Sequence, residues 1–241
     1  MSSRQMESYS LADSNNYPID WKLLQVLLPI APNGGFFVEV GANDGVTQSN
    51  TLLLDSRFGW SGLLVEPCVQ AFNKCKTIRS KNPNNVIIHG ALVGSNDVKT
   101  IEGDFTASDN GVDYGSLMNS VGGTRRGQES RPMISVPAFT LSSLHQQYKL
   151  PNIDFMSLDV EGYEAEVLKG IDLSADWSPK VFLIELYNHE KQTVFNLLDP
   201  HYHNVGNFTN HTKPHDPTWI EHNDYLFIKK SYVASAQKTQ S

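Results

Sequence analysis

The sequence predicts an α/β domain built on a mostly parallel sheet. Three observations lead there. Short apolar runs recur along the chain, as in FFVEV (36–40), GLLVEP (62–67) and KVFLIELYNHE (180–190). These runs lack strict polar alternation, which is the pattern of strands buried on both faces. Between them lie segments with apolar residues at helical spacing, and alternation of strand and helix means βαβ units. The 241 residues carry no internal repeat and no interdomain linker, so one domain accounts for the chain.

The elements follow in order. Residues 1–17 are polar and read as a flexible or loosely docked tail, and the domain proper spans 18–230. Residues 18–28, PIDWKLLQVLL, have helical spacing. Pro29, Pro32, Asn33, Gly34 and Gly35 then mark a loop. FFVEV is the first strand, residues 49–57 a helix, 62–67 the second strand, and 68–80 another helix. NVIIHGALVG (85–94) reads as a third strand. Glycines are dense from Glu102 to Arg131, with Asp, Ser and Asn between them. That segment reads as irregular, a mobile lid of the sort long structureless loops tend to form. ISVPAF is a strand, and TLSSLHQQY a helix capped by Thr140. IDFMSLDVEG (153–162) is strand four, YEAEVLKG a helix closed by Gly170, and 180–190 strand five. A helix runs to Leu198, and HYHNVGNF and NDYLFIKK are late strands that pair antiparallel. Residues 231–241 are a polar tail.

Composition narrows the function. The formal charge is −7, with 39% hydrophobic and 19% charged residues. A mildly acidic domain is poorly suited to sequence-independent nucleic-acid binding, which neutralises phosphates with Lys and Arg. No stretch approaches the ~20 apolar residues of a membrane-spanning helix, so no membrane span is expected. The N-terminus lacks the apolar core of a signal peptide. On a shared helix, Cys68 and Cys75 would lie roughly 10 Å apart, beyond disulfide reach. Free thiols without a leader point to the cytoplasm.

The stretch EVGANDG (39–45) carries the first functional signal. In open parallel sheets, ligands bind beyond the carboxyl ends of the strands. Gly41 and Gly45 permit a tight turn and a close backbone approach. The G-x-G-x-x-G spacing of a dinucleotide site is missing. Glu39 and Asp44 flank the turn, with Asn43 between them, and would repel a pyrophosphate. They suit a cationic ligand with an ammonium or sulfonium group, and S-adenosylmethionine (SAM) has both. About twenty residues on, Glu66 ends the second strand before Pro67, where a carboxylate can accept a ribose diol.

SLDVEGYEAEVLKG adds acids on the same rim. Asp159 and Glu161 stand at the end of strand four, while Glu164 and Glu166 follow on the next helix, where Glu166 complements its dipole. Glu185 and His189 belong to strand five and its exit. Asp159, Glu161, Glu185 and His189 are therefore candidate catalytic bases. Asp159 and Glu185, with Asn188 nearby, also form a candidate oxygen-ligand pair for Mg²⁺. The sequence leaves open whether they hold a metal or act as a base and its hydrogen-bonded helper. His201, His203, His211 and His215 lack zinc-site spacing. Tyr187, Trp177 and Trp219 are candidate stacking surfaces for a sugar, with buried packing the better reading of Trp177.

VEVGANDG, LLVEP, IDFMSLDVEGYEAEVLKG and FLIELYN stand in the order found in the FkbM-type methyltransferases, and the chain resembles that family over about residues 35–230. The resemblance implies a Rossmann-like class I methyltransferase fold. That fold has a mostly parallel seven-stranded sheet, an antiparallel last strand and helices on both faces. It also implies SAM contacts at Glu39, Gly41, Asn43 and Gly45, a ribose held by Glu66, and adenine bordered by Ala91 and Leu92. The activity implied is O-methylation of a sugar, glycan or glycosylated small molecule. Residues 102–131 and 207–222 match no part of the family pattern that can be carried over. Two other readings compete: a non-catalytic SAM-fold scaffold, and a nicotinamide dehydrogenase, which the missing glycine spacing disfavours.

Overall fold

The structure is a computed structural model that describes residues 7–105, 133–212 and 222–233. Most of the expected lid, and the part of 207–222 that holds His215 and Trp219, lie outside the described residues. The elements in chain order are α1 (Ile19–Leu27), β1 (Phe36–Val40), α2 (Leu52–Phe58), β2 (Ser61–Glu66), α3 (Val69–Arg79), β3 (Val86–His89), β4 (Ala91–Leu92), β5 (Thr100–Gly103), β6 (Ile134–Phe139), α4 (Leu141–Tyr148), β7 (Phe155–Leu158), α5 (Glu164–Lys169), β8 (Val181–Tyr187), α6 (Lys191–Leu198), β9 (Tyr202–Asn207) and β10 (His222–Lys229).

Seven strands form one sheet in the order β3-β2-β1-β7-β8-β10-β9. Strands β3, β2, β1, β7 and β8 pair parallel, whereas β10 runs antiparallel to both β8 and β9. The expected antiparallel last strand is therefore present. All five residues of β1 are buried, as the absence of polar alternation requires. Side chains along β1 alternate between the two faces of the sheet. Phe36, Val38 and Val40 enter a core built with α4, α5 and α6. Phe37 faces the opposite core, with α1, α2 and Cys75 of α3. Helices thus cover both faces of the sheet.

Several boundaries differ from expectation, each for a local reason. The run at 85–94 is two strands, broken at Gly90, where a Cβ would lie 2.6 Å from the Pro137 carbonyl oxygen. Beyond the break, β4 leaves the main sheet and joins β6 and β5 in a three-stranded one. Helix α2 starts at Leu52 because Ser49 and Thr51 are committed elsewhere. Both hydroxyls donate to the Glu39 carboxylate, at 2.9 and 2.6 Å, and Ser49 Oγ accepts from Leu52 N. Residues 7–17, expected as a flexible or loosely docked tail, are tied to α1. Asp20 accepts from Ser8 Oγ and Tyr9 N, and Asp13 pairs with Lys22 at 3.1 Å. Cys68 and Cys75 are both buried and form no disulfide with each other.

The loop from β1 to α2 is wrapped around one cation. The Arg79 side chain is fully buried beneath it. Nε donates to Asp55 at 2.8 Å, Nη1 to the Gly45 carbonyl at 3.1 Å, and Nη2 to Thr51 Oγ1 at 2.9 Å. Nη1 also lies 3.4 Å from Glu39. At the start of the same loop Gly41 has φ +81°, and a Cβ there would lie 1.9 Å from the Asp159 carbonyl oxygen. The loop is thus locked from below by Arg79 and from the side by the end of β7.

Two outcomes are expected. Arg79→Leu leaves the Glu39 and Asp55 carboxylates buried without their cation, so stability in urea unfolding should fall by about 3–5 kcal/mol. Gly41→Ala combines a left-handed backbone with a clash, and should cost more than about 1 kcal/mol in the same assay.

Candidate functional site

At the carboxyl ends of β1 and β2 the sheet opens into a cleft with about 810 Å³ of empty space, open to solvent. Glu39, Gly41, Asn43, Glu66, Pro67, Ala91 and Leu92 line it, and so do Asp159 and Glu161. Seven of the nine residues read as cofactor-binding are therefore brought together.

The other two lie behind the wall. Asp44 accepts from Val46 N at 2.9 Å, Thr47 N at 2.7 Å and Thr47 Oγ1 at 2.9 Å. Burial acts to raise its carboxyl, but the Thr47 and Val46 amides outweigh it and hold it below the ordinary carboxylate value. Asp44 thus shapes the loop. Gly45, with φ +80°, packs on Arg79 and Cys75, where a Cβ would meet side-chain atoms at 2.9 and 3.0 Å. Glu39 lines the cleft, yet its carboxylate is already engaged by Ser49, Thr51, Asn50 N and Arg79.

Glu66 is held at the end of β2 by two backbone amides. Asn43 N donates to it at 2.7 Å and Cys68 N at 2.8 Å. Those bonds fix the carboxylate's direction, and a carboxylate presents about four acceptor positions. Asn43 has φ +49°, and its Oδ1 is buried with no hydrogen-bond partner among the described residues. A buried acceptor in that state is costly unless a ligand supplies a donor. Phe105, buried and not anticipated from the sequence, also lines the cleft near Ala91 and Leu92.

One strand over, the rim turns acidic. Asp159 and Glu185 are hydrogen-bonded side chain to side chain. Asp224 faces Glu185 in register across β8 and β10. Asp159 is open to solvent within the cleft, while protein surrounds it on its other sides. That crowding first, then Glu161, then Asp224, push its carboxyl up to about 7. Burial, then Asp159 and Asp224, push Glu185 well above the carboxylate range. Burial pushes Asp224 up to about 6 against the Thr209 hydrogen bond and His222. Tyr187 donates to Glu161 at 2.7 Å, and burial together with Glu161 raises its phenol.

The candidate bases are only partly gathered. Glu185 stands behind Asp159 and outside the lining, with His222 Nε2 at 3.6 Å. His189 is exposed, and its ring lies 5.9 Å from that of Tyr187. Trp177 stacks on His145 at 4.1 Å, away from the cleft. Among the described residues no group of three or more His, Cys, Asp or Glu is arranged to hold a metal. Asp159 and Glu185 bond to each other, so the Mg²⁺ expectation is not supported. Asp224 and His222 were missed because they arrive on an antiparallel strand whose register the sequence does not display.

Comparisons with known proteins identify the family and the fold. The model of the methyltransferase FkbM domain matches residues 39–225. A methyltransferase FkbM from Methylobacillus flagellatus has a similar fold, with TM-score 0.50 and 14% identity over 81% of this chain. The chain spans only 44% of that protein. A weaker likeness, with TM-score 0.47 and 10% identity, covers 88% of this chain and 81% of the METTL16 methyltransferase domain. Another, with TM-score 0.40 and 10% identity, covers 95% of this chain and 92% of a precorrin-6y C5,15-methyltransferase from Geobacter metallireducens. No curated protein matches the chain. With most of its length matched by one family model, and the strand order that the motifs imply, the chain belongs to the FkbM methyltransferase family.

Proposed function

We propose that the protein is a SAM-dependent O-methyltransferase acting on a hydroxyl of a sugar, glycan or glycosylated small molecule. One observation carries the reading: a cleft with Glu66 and the orphaned Asn43 Oδ1 on one side, and the Asp159–Glu185 pair on the other. The residues present fit SAM. Glu66 would take the ribose hydroxyls, Ala91, Leu92 and Phe105 the adenine, and Asn43 Oδ1 the ammonium. Gly41 leaves its backbone clear beside the methionine moiety. When bound, SAM supplies an electrophilic methyl on a sulfonium, which becomes a neutral thioether as the methyl passes to the acceptor oxygen.

The chain's own part is alignment and proton removal. Holding acceptor and donor in line accounts for much of the rate in such a displacement. A sugar hydroxyl is a weak nucleophile, so a base must take its proton. Asp159 has a carboxyl near neutrality and faces the cleft, which suits it to that task. Glu185 holds it by a hydrogen bond and shares the proton it receives. Tyr187 and Glu161 flank the approach and offer a ring and a carboxylate to a polyhydroxylated acceptor.

Titration calorimetry with SAM and S-adenosylhomocysteine tests the cofactor assignment. Micromolar binding is expected, and Glu66→Ala should abolish it while circular dichroism stays unchanged. Unchanged affinity in that variant would overturn the ribose placement. If the wild-type protein binds NAD(H) instead of SAM, the dehydrogenase reading replaces this one. If it binds neither, the scaffold reading does.

The acid rim also sets a pH dependence. Asp159 at about 7 and Asp224 at about 6 lie above the ordinary value of about 3.9. Folding therefore takes up protons, and the associated stability is full below about pH 4 and lost as pH rises through 6 to 7. Tm should fall between about pH 5 and pH 8, and Asp159→Asn should fall less. Equal slopes in the two proteins would show that Asp159 carries no such proton.

A further inference from the structure

Behind the acid rim lies a second carboxyl pair that the proposed chemistry does not use. Glu164 is the first residue of α5 and is completely buried, and Glu190 directly precedes α6 and is 8% exposed. Glu164 Oε1 accepts from Val160 N at 2.8 Å and from Gly162 N at 3.2 Å. Its other oxygen, Oε2, and Oε1 of Glu190 are buried, with no N–H or O–H donor among the described residues. The two side chains nevertheless lie within hydrogen-bonding reach of each other. Two carboxylates can make that bond only when one of them carries a proton.

The pair joins two loops. The turn from β7 to α5 holds Asp159 and Glu161, and it passes through left-handed backbone at Glu161 (φ +59°) and Gly162 (φ +99°). A residue with a side chain stays in that conformation only when its surroundings enforce it. Here the Glu164 carboxyl does so, by gathering the amides on either side of Glu161. The exit from β8 holds Tyr187 and His189 and closes with Glu190 N on the Tyr187 carbonyl at 3.2 Å. The groups that bear on Glu164 are Glu190 before α6, Asp159 after β7 and Glu185 on β8, all of them acidic. A second negative charge at this point is opposed from each of those elements.

We propose that Glu164 and Glu190 are positioning residues that share one proton between the starts of α5 and α6, holding together the two loops that carry Asp159, Glu161, Tyr187 and His189. The role in catalysis rests on reading that rim as the acceptor side of a methyltransferase. The shared proton does not.

The test uses the full chain and the variants Glu164→Gln, Glu190→Gln and Glu164→Ala. Tm is followed from about pH 5 to pH 9, and SAM affinity is measured at both ends of that range. A shared proton means a tenfold change in the folding equilibrium per pH unit until it is lost. Each Gln variant supplies an amide donor and should lose about that much of the wild-type slope, leaving the contribution of Asp159, Glu185 and Asp224. SAM affinity should be kept in Glu164→Gln. It should drop at least tenfold in Glu164→Ala, where the Val160 and Gly162 amides lose their acceptor and Asp159, Val160 and Glu161 shift in the cleft wall. Wild-type slope in both Gln variants would overturn the shared proton. Wild-type affinity in folded Glu164→Ala would overturn the positioning role, and should that variant not fold, reduced affinity in Glu190→Gln at alkaline pH carries the same decision. Failure of the wild-type protein to bind SAM, with the slopes as expected, would refute the methyltransferase reading and the catalytic role while leaving the proton in place.

Discussion

The site depends on a buried cation. Arg79 reaches up from α3 and joins Glu39 at the end of β1, Asp55 in α2, and the loop between them at Gly45 and Thr51. A charge so deeply buried is tolerated only when its partners are close and its donors are used. Nε, Nη1 and Nη2 all have acceptors, so the ionic group costs little while intact and a great deal when broken. Its placement also explains Glu39. That carboxylate balances Arg79, which is why the proposal gives the ammonium to Asn43 and not to Glu39.

The two sides of the cleft are consequently built on different principles. The side proposed for the cofactor is rigid: backbone amides hold Glu66, an arginine clamps the loop, and Gly41 fits against β7 with no room for a side chain. The side proposed for the acceptor is made of carboxyls that crowd one another, with Asp159, Glu161, Glu185 and Asp224 close together. Such a cluster can persist only by keeping some members protonated. A rigid half suits a cofactor that never changes. A proton-holding half suits a reaction that must remove a proton.

Much of the fold was legible because parallel strands buried on both faces leave near-continuous apolar runs. FFVEV, LLVE and the run through Ile184 show this directly, and the turn residues between them punctuate the helices. What could not be read were events in which a side chain overrides the local pattern. Ser49 and Thr51 would extend α2 by spacing alone, yet their hydroxyls are spent on Glu39. Gly90 breaks an unbroken apolar run because Pro137 comes too close. In the site, Glu39 was visible as an acid beside a glycine turn. The period of two places it on the side of Phe37, but its counter-ion stands on a helix forty residues away. Asp224 and His222 were invisible for a similar reason: antiparallel register, not sequence order, sets them beside Glu185.

The same logic separates the two carboxyl pairs, which look alike in composition. Asp159 and Glu185 meet at an open wall, so water or an acceptor can exchange the proton they hold. Glu164 and Glu190 meet under the starts of two helices, where neither can. A proton that exchanges with substrate can be used in chemistry, whereas one sealed between α5 and α6 can only hold structure. The dipoles of those helices favour negative charge at their N-termini, which keeps one carboxylate ionised there. The neighbouring acids Asp159 and Glu185 oppose a second charge, so the sealed pair settles at one proton. Residues of one type, a few positions apart in SLDVEGYE, are thereby set in two environments, one open to the cleft and one sealed by burial.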